Sequence, residues 1–219
     1  MKPLILSVPS AGSPRRSYLK KPEDMLIAAE AGAAVETVAA AAEAARKSCS
    51  LVVILAAVPA GRAPAPELEA LWDKADALIP VAEGRLDRAV QGAAELLRSL
   101  GTGYIGLDAS DVRLVLQPHG PVYLGFAEAS GKAGYAAAAA AAVRSDLTCC
   151  DLEGARRVLL SITAAPDLRL EDLQEITGMI RDAAHPDADI IFGLGFEESM
   201  PAAALRMVIL ASGYDPERA

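Results

Sequence analysis

The stretch Glu83 to Leu116, a long amphipathic segment running into a glycine-punctuated acidic loop, constrains this chain more than any other. Leu86, Val90, Ala93, Leu97 and Leu100 recur at spacings of four and three, while Arg85, Asp87, Arg88, Glu95 and Arg98 fill the remaining positions. That period predicts a helix buried on one side, acting as a spine between two lobes. Gly101, Gly103 and Gly106 make continuation costly, and Leu107-Asp108-Ala109-Ser110-Asp111-Val112-Arg113 then opens a second, short helix.

Asp108 and Asp111 lie three residues apart, and their spacing supports two readings. A carboxylate just before a helix accepts backbone N–H bonds that have no intrahelical partner, and a second acid three residues on resembles a capping box. Two carboxylates on an exposed loop also suit a catalytic role, holding a metal-bound water or polarising an attacking one in phosphoryl transfer.

At 219 residues the chain is long enough for one large domain or two small ones. Apolar residues make up 53% but aromatics only 4%, so helices are expected to pack closely through alanine. The net charge of -8 speaks against a nucleic-acid or anionic-membrane binder. The apolar runs Leu51 to Ala60 and Ala136 to Val143 fall well short of the roughly twenty residues of a membrane helix. The first nine residues are too short and proline-broken for a secretory signal, so a cytoplasmic protein is expected. Cys49, Cys149 and Cys150 read as reduced thiols. His119 and His185 lie in turns without further ligands at metal spacing, and no metal is expected.

In chain order, Pro3 to Val8 reads as a short buried strand. The loop Pro9 to Glu23 carries Arg15, Arg16, Lys20 and Lys21; Arg15 and Arg16 are weak candidates for holding an anion, since prolines remove the amides of a phosphate cradle. Asp24 to Lys47 reads as one or two alanine-rich helices broken near Gly32, Leu51 to Leu55 as a strand buried on both faces, Glu67 to Lys74 as a short helix, and Ala77 to Val81 as a third strand. Strands alternating with helices imply a reduced three-layer, Rossmann-like α/β lobe of about three parallel strands over 1–82, then the connecting helix, 83–102. From 103 to 219 the pattern is different: strand 122–126, helix 131–143, strand 157–163, a helix striped by Leu170, Leu173, Ile176 and Ile180, and strands 190–194 and 205–211. This describes an α+β domain, a mixed sheet with helices on one face.

The residues Asp151-Leu152-Glu153-Gly154-Ala155-Arg156-Arg157-Val158-Leu159-Leu160-Ser161-Ile162-Thr163 and Pro166-Asp167-Leu168 resemble the carboxyl-terminal domain of FtsZ, the bacterial tubulin-like division GTPase. Ile180 to Gly193 and Arg206 to Asp215 resemble that domain's later helix and final strands, and Ala127 to Gly131 its first turn. Upstream, Ala89-Val90-Gln91-Gly92 and Leu107 to Arg113 are similar to the family's central helix and the loop after it, whose acids enter the nucleotide pocket of the next subunit. The resemblance assigns Asp108 and Asp111 to those acids, acting in trans; Gly106 stands where the family usually has asparagine.

The family binds GTP through an early glycine-rich loop and a second loop of the form GGGTGTG between a strand and a helix, and neither motif is present in this sequence. With Pro3 to Val8 as the strand before that second loop, Ser10-Ala11-Gly12-Ser13-Pro14 takes its place and three earlier strands are missing. The linker and terminal peptide that follow this domain in the family are not expected here, the sequence ending at Ala219. The resemblance therefore implies the scaffold and the donating half of an active site without the half that holds GTP. The expectation is a protein without cofactor that works by contact with FtsZ or a homologous partner, capping or modulating filaments. Two alternatives stay open: a reduced GTPase that takes GTP and Mg in a composite site at a subunit interface, and a module that self-assembles without nucleotide.

Overall fold

The computed structural model describes residues 4–8, 15–16, 24–49, 51–59, 66–116, 122–131, 134–148 and 150–214. Ser10 to Pro14, Lys20, Lys21, His119 and Cys149 lie outside these residues. The chain divides into two compact units, one formed by residues up to Arg98 together with Leu147–Cys149, the other by Ser99–Asp146 and the residues from Cys150 on.

The first unit is built on β1 (Leu4–Val8), β2 (Arg15–Arg16), β3 (Asp24–Ala29), α1 (Val35–Arg46), β4 (Leu51–Val58), α2 (Pro66–Trp72), β5 (Ala77–Ala82) and most of α3 (Leu86–Ser99). The sheet order is β2-β1-β3-β4-β5, with β1, β3, β4 and β5 parallel and the two residues of β2 antiparallel to β1. The α/β lobe is as expected, with one parallel strand more. That strand is β3, whose residues Asp24–Ala29 had read as helix. It lies between two other strands and is buried from Leu26 to Ala29, so it shows no polar-apolar alternation. Its alanines and leucine also favour helix in isolation.

Register explains the layers. Ile27 pairs with Ile54 and Ile54 with Leu78; all three belong to one core cluster, with Val38, Ala42 and Ala45 of α1 and Leu71 of α2. Residues of opposite parity, Leu26, Val53, Leu55 and Ile79, are equally buried, so both faces of the sheet are covered. The Lys74–Glu43 ion pair at 2.5 Å and Arg46 Nη1 donating to the Asp73 carbonyl tie α1 to the end of α2. Beyond β5, an antiparallel bridge from Val81 to Thr148 closes the sheet edge. In α3 six consecutive residues, Gly92 to Leu97, are buried, which is more than the single face predicted.

The second unit contains α4 (Ala109–Val115), β6 (Tyr123–Ala129), α5 (Gly134–Val143), β7 (Arg157–Ala164), α6 (Leu170–Ala183), β8 (Asp189–Phe196) and β9 (Leu205–Ser212). Its sheet runs β6-β9-β7-β8; β9 is antiparallel to both neighbours and β8 is parallel to β7. Val158, Leu160 and Ile162 of β7 join Met207 and Ile209 of β9 in a core with Ala138, Ala139 and Ala142 of α5 and Ile176 and Ile180 of α6. The alanine run of α5 has a steric reason. A Cβ on Gly125 of β6 would lie 2.3 Å from the Ala142 carbonyl oxygen, so helix and strand meet backbone to backbone.

Helices were expected on one face of this sheet only, and α4 departs from that. It packs on the other face, where the Ser212 hydroxyl donates to the Val115 carbonyl and the Ser99 and Ser161 hydroxyls are 2.9 Å apart. Leu159, Val208 and Leu210 are buried on the same face.

Candidate functional site

The acidic loop between α3 and α4 is the segment to which sequence reasoning assigned chemistry, and backbone bonds fix it locally. Gly101 N–H donates to the Leu107 carbonyl at 2.8 Å. Tyr104 and Ile105 N–H both donate to the Leu194 carbonyl, at 2.7 and 3.0 Å, and Leu194 N–H returns a bond to Ile105 at 3.0 Å. The loop is thus laid on the outer edge of β8, the last strand of its sheet. Two glycines make this possible. Gly103 has φ +109, and a Cβ there would lie 2.9 Å from the Leu194 oxygen. Gly193 leaves room for Leu107, whose Cγ would be 2.5 Å from an added Cβ.

At the end of this loop the two acids form a complete capping box. Asp108 Oδ1 accepts from Ser110 N–H at 2.7 Å, Asp111 N–H at 3.2 Å and the Ser110 hydroxyl, while Asp111 Oδ2 accepts from Asp108 N–H at 2.8 Å. The structural reading of their spacing therefore holds. Asp108 is nevertheless exposed. The Ser110 hydroxyl, then the Ser110 and Asp111 amides, hold its carboxyl below the usual carboxylate range, so it is an anion at neutral pH.

The weak anion candidates, Arg15 and Arg16, make up β2, with Arg15 opposite Ser7 and Arg16 opposite Leu6. Among the described residues the element after β1 is β2, and Ser10 to Pro14 lie outside them. The short strand-to-helix turn at the centre of the sheet is Glu30-Ala31-Gly32-Ala33-Ala34, from β3 into α1. Gly32 takes φ +80. Ala33 N–H donates to Glu30 O, Thr37 and Val38 N–H donate to Ala34 O, and Glu36 stands exposed in the first turn of α1. Sequence reasoning missed this turn because it placed residues 24–29 in a helix.

Among the described residues, no three His, Cys, Asp or Glu side chains converge as a metal site. No helix among them is long and apolar enough to cross a membrane.

A parallel α/β unit followed by a mixed four-stranded α+β unit is a fold shared with solved structures of FtsZ and CetZ. Residues 120–215 match the profile of the FtsZ family, C-terminal domain. FtsZ of M. jannaschii, solved as an empty dimer, superposes with a TM-score of 0.67 at 22% identity, covering 88% of this chain and 64% of that one. CetZ2 of Haloferax volcanii, solved as a GTPγS-bound protofilament, gives 0.68 at 17% identity, covering 90% and 67%. CetZ of Methanosaeta thermophila strain DSM 6194 gives 0.69 at 14% identity, covering 90% and 63%. The chain shares its fold with these structures and spans about two thirds of their length; at such identities the likeness is one of fold, and the family profile covers residues 120–215.

Proposed function

We propose that this chain is an FtsZ-like protein that holds no GTP of its own and acts by protein contact, presenting its 103–113 loop to an FtsZ-type partner and capping or modulating filaments in bacterial cell division. The observation that carries the reading is the β3–α1 turn. In a nucleotide-binding lobe of this kind the strand-to-helix turn is a glycine-rich cradle whose free amides face phosphate. Here it contains one glycine, its Ala33 amide is spent on the Glu30 carbonyl, and Glu36 adds negative charge at the start of the helix that follows. A carboxylate at that place repels a triphosphate.

The loop that would be donated is intact, with Asp108 and Asp111 fixed by their cap and Gly101 to Leu107 fixed to β8. Such a molecule occupies a partner's exposed nucleotide face without offering one in return, which stops growth at one filament end. Added at several-fold excess to polymerising FtsZ, the protein is expected to change assembly seen by light scattering, or GTP turnover. Unchanged assembly and unchanged turnover overturn the reading.

A further inference from the structure

Among the described residues four large hydrophobic side chains stand out into solvent: Tyr104 at 82% exposure, Leu170 at 65%, Leu114 at 60% and Phe196 at 45%. Two of them are aromatic and touch each other, with ring centroids 6.3 Å apart and planes tilted by 59°. Isolated exposed leucines are ordinary on a protein surface. A ring pair is not, in a chain whose aromatic content is only 4%.

The pair is also held in place. Tyr104 is fixed by its N–H bond to Leu194, and Phe196 follows two residues later in β8 on the same side of that strand. Ordering two rings already seated on a hydrogen-bonded loop and a strand costs little on association, and tyrosine and other aromatics dominate the anchors of protein interfaces. Exposed acidic groups lie near the two rings in sequence. Asp108 stands exposed four residues after Tyr104, and Glu198 stands exposed two residues after Phe196. Glu197 is paired with Arg206.

We propose that Tyr104 and Phe196 form the anchor through which this protein binds its FtsZ-type partner, entering an apolar recess rimmed by Lys or Arg, while the acids of the loop orient the approach. This rests on the proposed function and shifts the binding energy from the acids to the rings. Asp108 and Asp111 already satisfy each other's backbone, so they are poorly placed to supply most of the affinity. A second copy of this chain fits the surface less well, because pairing like faces would set Asp108 and Glu198 against their own equivalents.

The test is titration of the full chain against a nucleotide-free bacterial FtsZ by calorimetry at low and high salt. Tyr104→Ala and Phe196→Ala are each expected to weaken binding at least about tenfold. Asp108→Asn, which keeps the cap, is expected to weaken it less and to flatten its salt dependence. Leu170→Ala, a leucine exposed on α6, serves as the control and binds as wild type. If Phe196→Ala lowers the melting temperature, Tyr104→Ser decides, since that side chain is the more exposed. Ring variants that bind like wild type while Asp108→Asn fails overturn the inference and leave the proposed function standing. A wild-type chain that does not bind FtsZ, or that dimerises through the rings instead, overturns both.

Discussion

Gly103→Ala tests whether the acidic loop is a rigid edge element. The backbone at Gly103 has φ +109, outside the left-handed helical region, so an alanine there costs roughly 1–3 kcal/mol in backbone strain. Its Cβ would also stand 2.9 Å from the Leu194 oxygen, a backbone atom that cannot swing aside. The alternative is for the loop to leave β8. That gives up the bonds of Tyr104, Ile105 and Leu194, at a net value of about 1 kcal/mol each. The cheaper route sets the cost, so the loss is about 1–3 kcal/mol, or roughly 2–12 °C in Tm for a chain of this size. Hydrogen exchange separates the routes, because release of the loop removes protection at the Ile105 and Leu194 amides. Gly101→Ala is the control: its φ is +67 with nothing within 4 Å, so only the left-handed penalty of roughly 1 kcal/mol applies and the loop stays docked. A Gly103→Ala protein with wild-type Tm and wild-type protection at those amides refutes the reasoning.

Further outcomes follow from single contacts. Because the folded Asp108 carboxyl lies below its unfolded value, its stabilisation is present above about pH 4 and is lost as pH falls through the folded value. The Tm gap between wild type and Asp108→Asn is therefore expected to close over that acid range; a gap independent of pH contradicts it. Tyr123→Phe removes a hydroxyl that donates to the Ala142 carbonyl and accepts Ser145 N–H at 3.0 Å in a fully buried position. It is expected to destabilise by about 1–3 kcal/mol in chemical denaturation, and an unchanged midpoint contradicts it. Ala203 sits at φ 55 with its N–H held by the Asp167 carboxylate, so Ala203→Gly is expected to raise stability by up to about 1 kcal/mol. A lower Tm for that variant refutes the strain.

Local chemistry was legible in the sequence wherever it was strong. The helix over Leu86–Ser99 and the capping box of Asp108 and Asp111 need only neighbours in the chain, and β7 and β9 announce themselves through apolar runs of strand length. Residues 24–29 went the other way: a strand buried on both faces has no alternation, and its alanines favour helix unless a sheet claims them. The docking of Ile105 on Leu194 joins residues far apart in the chain, and no periodicity encodes it. The exposed pair of Tyr104 and Phe196 was invisible for the same reason, since each ring alone reads as core. The position of α4 on the second face of its sheet likewise depends on a tertiary bond, from the Ser212 hydroxyl to the Val115 carbonyl.

The claim that this FtsZ-like chain works without a nucleotide of its own is tested most directly by calorimetric titration of the purified, nucleotide-free protein with GTP and magnesium. The account predicts no saturable binding, because the β3–α1 turn holds a single glycine and Glu36 stands exposed in the first turn of α1. Saturable binding at about micromolar affinity or tighter would contradict it and point to a composite site in which Arg15 or Arg16 takes part.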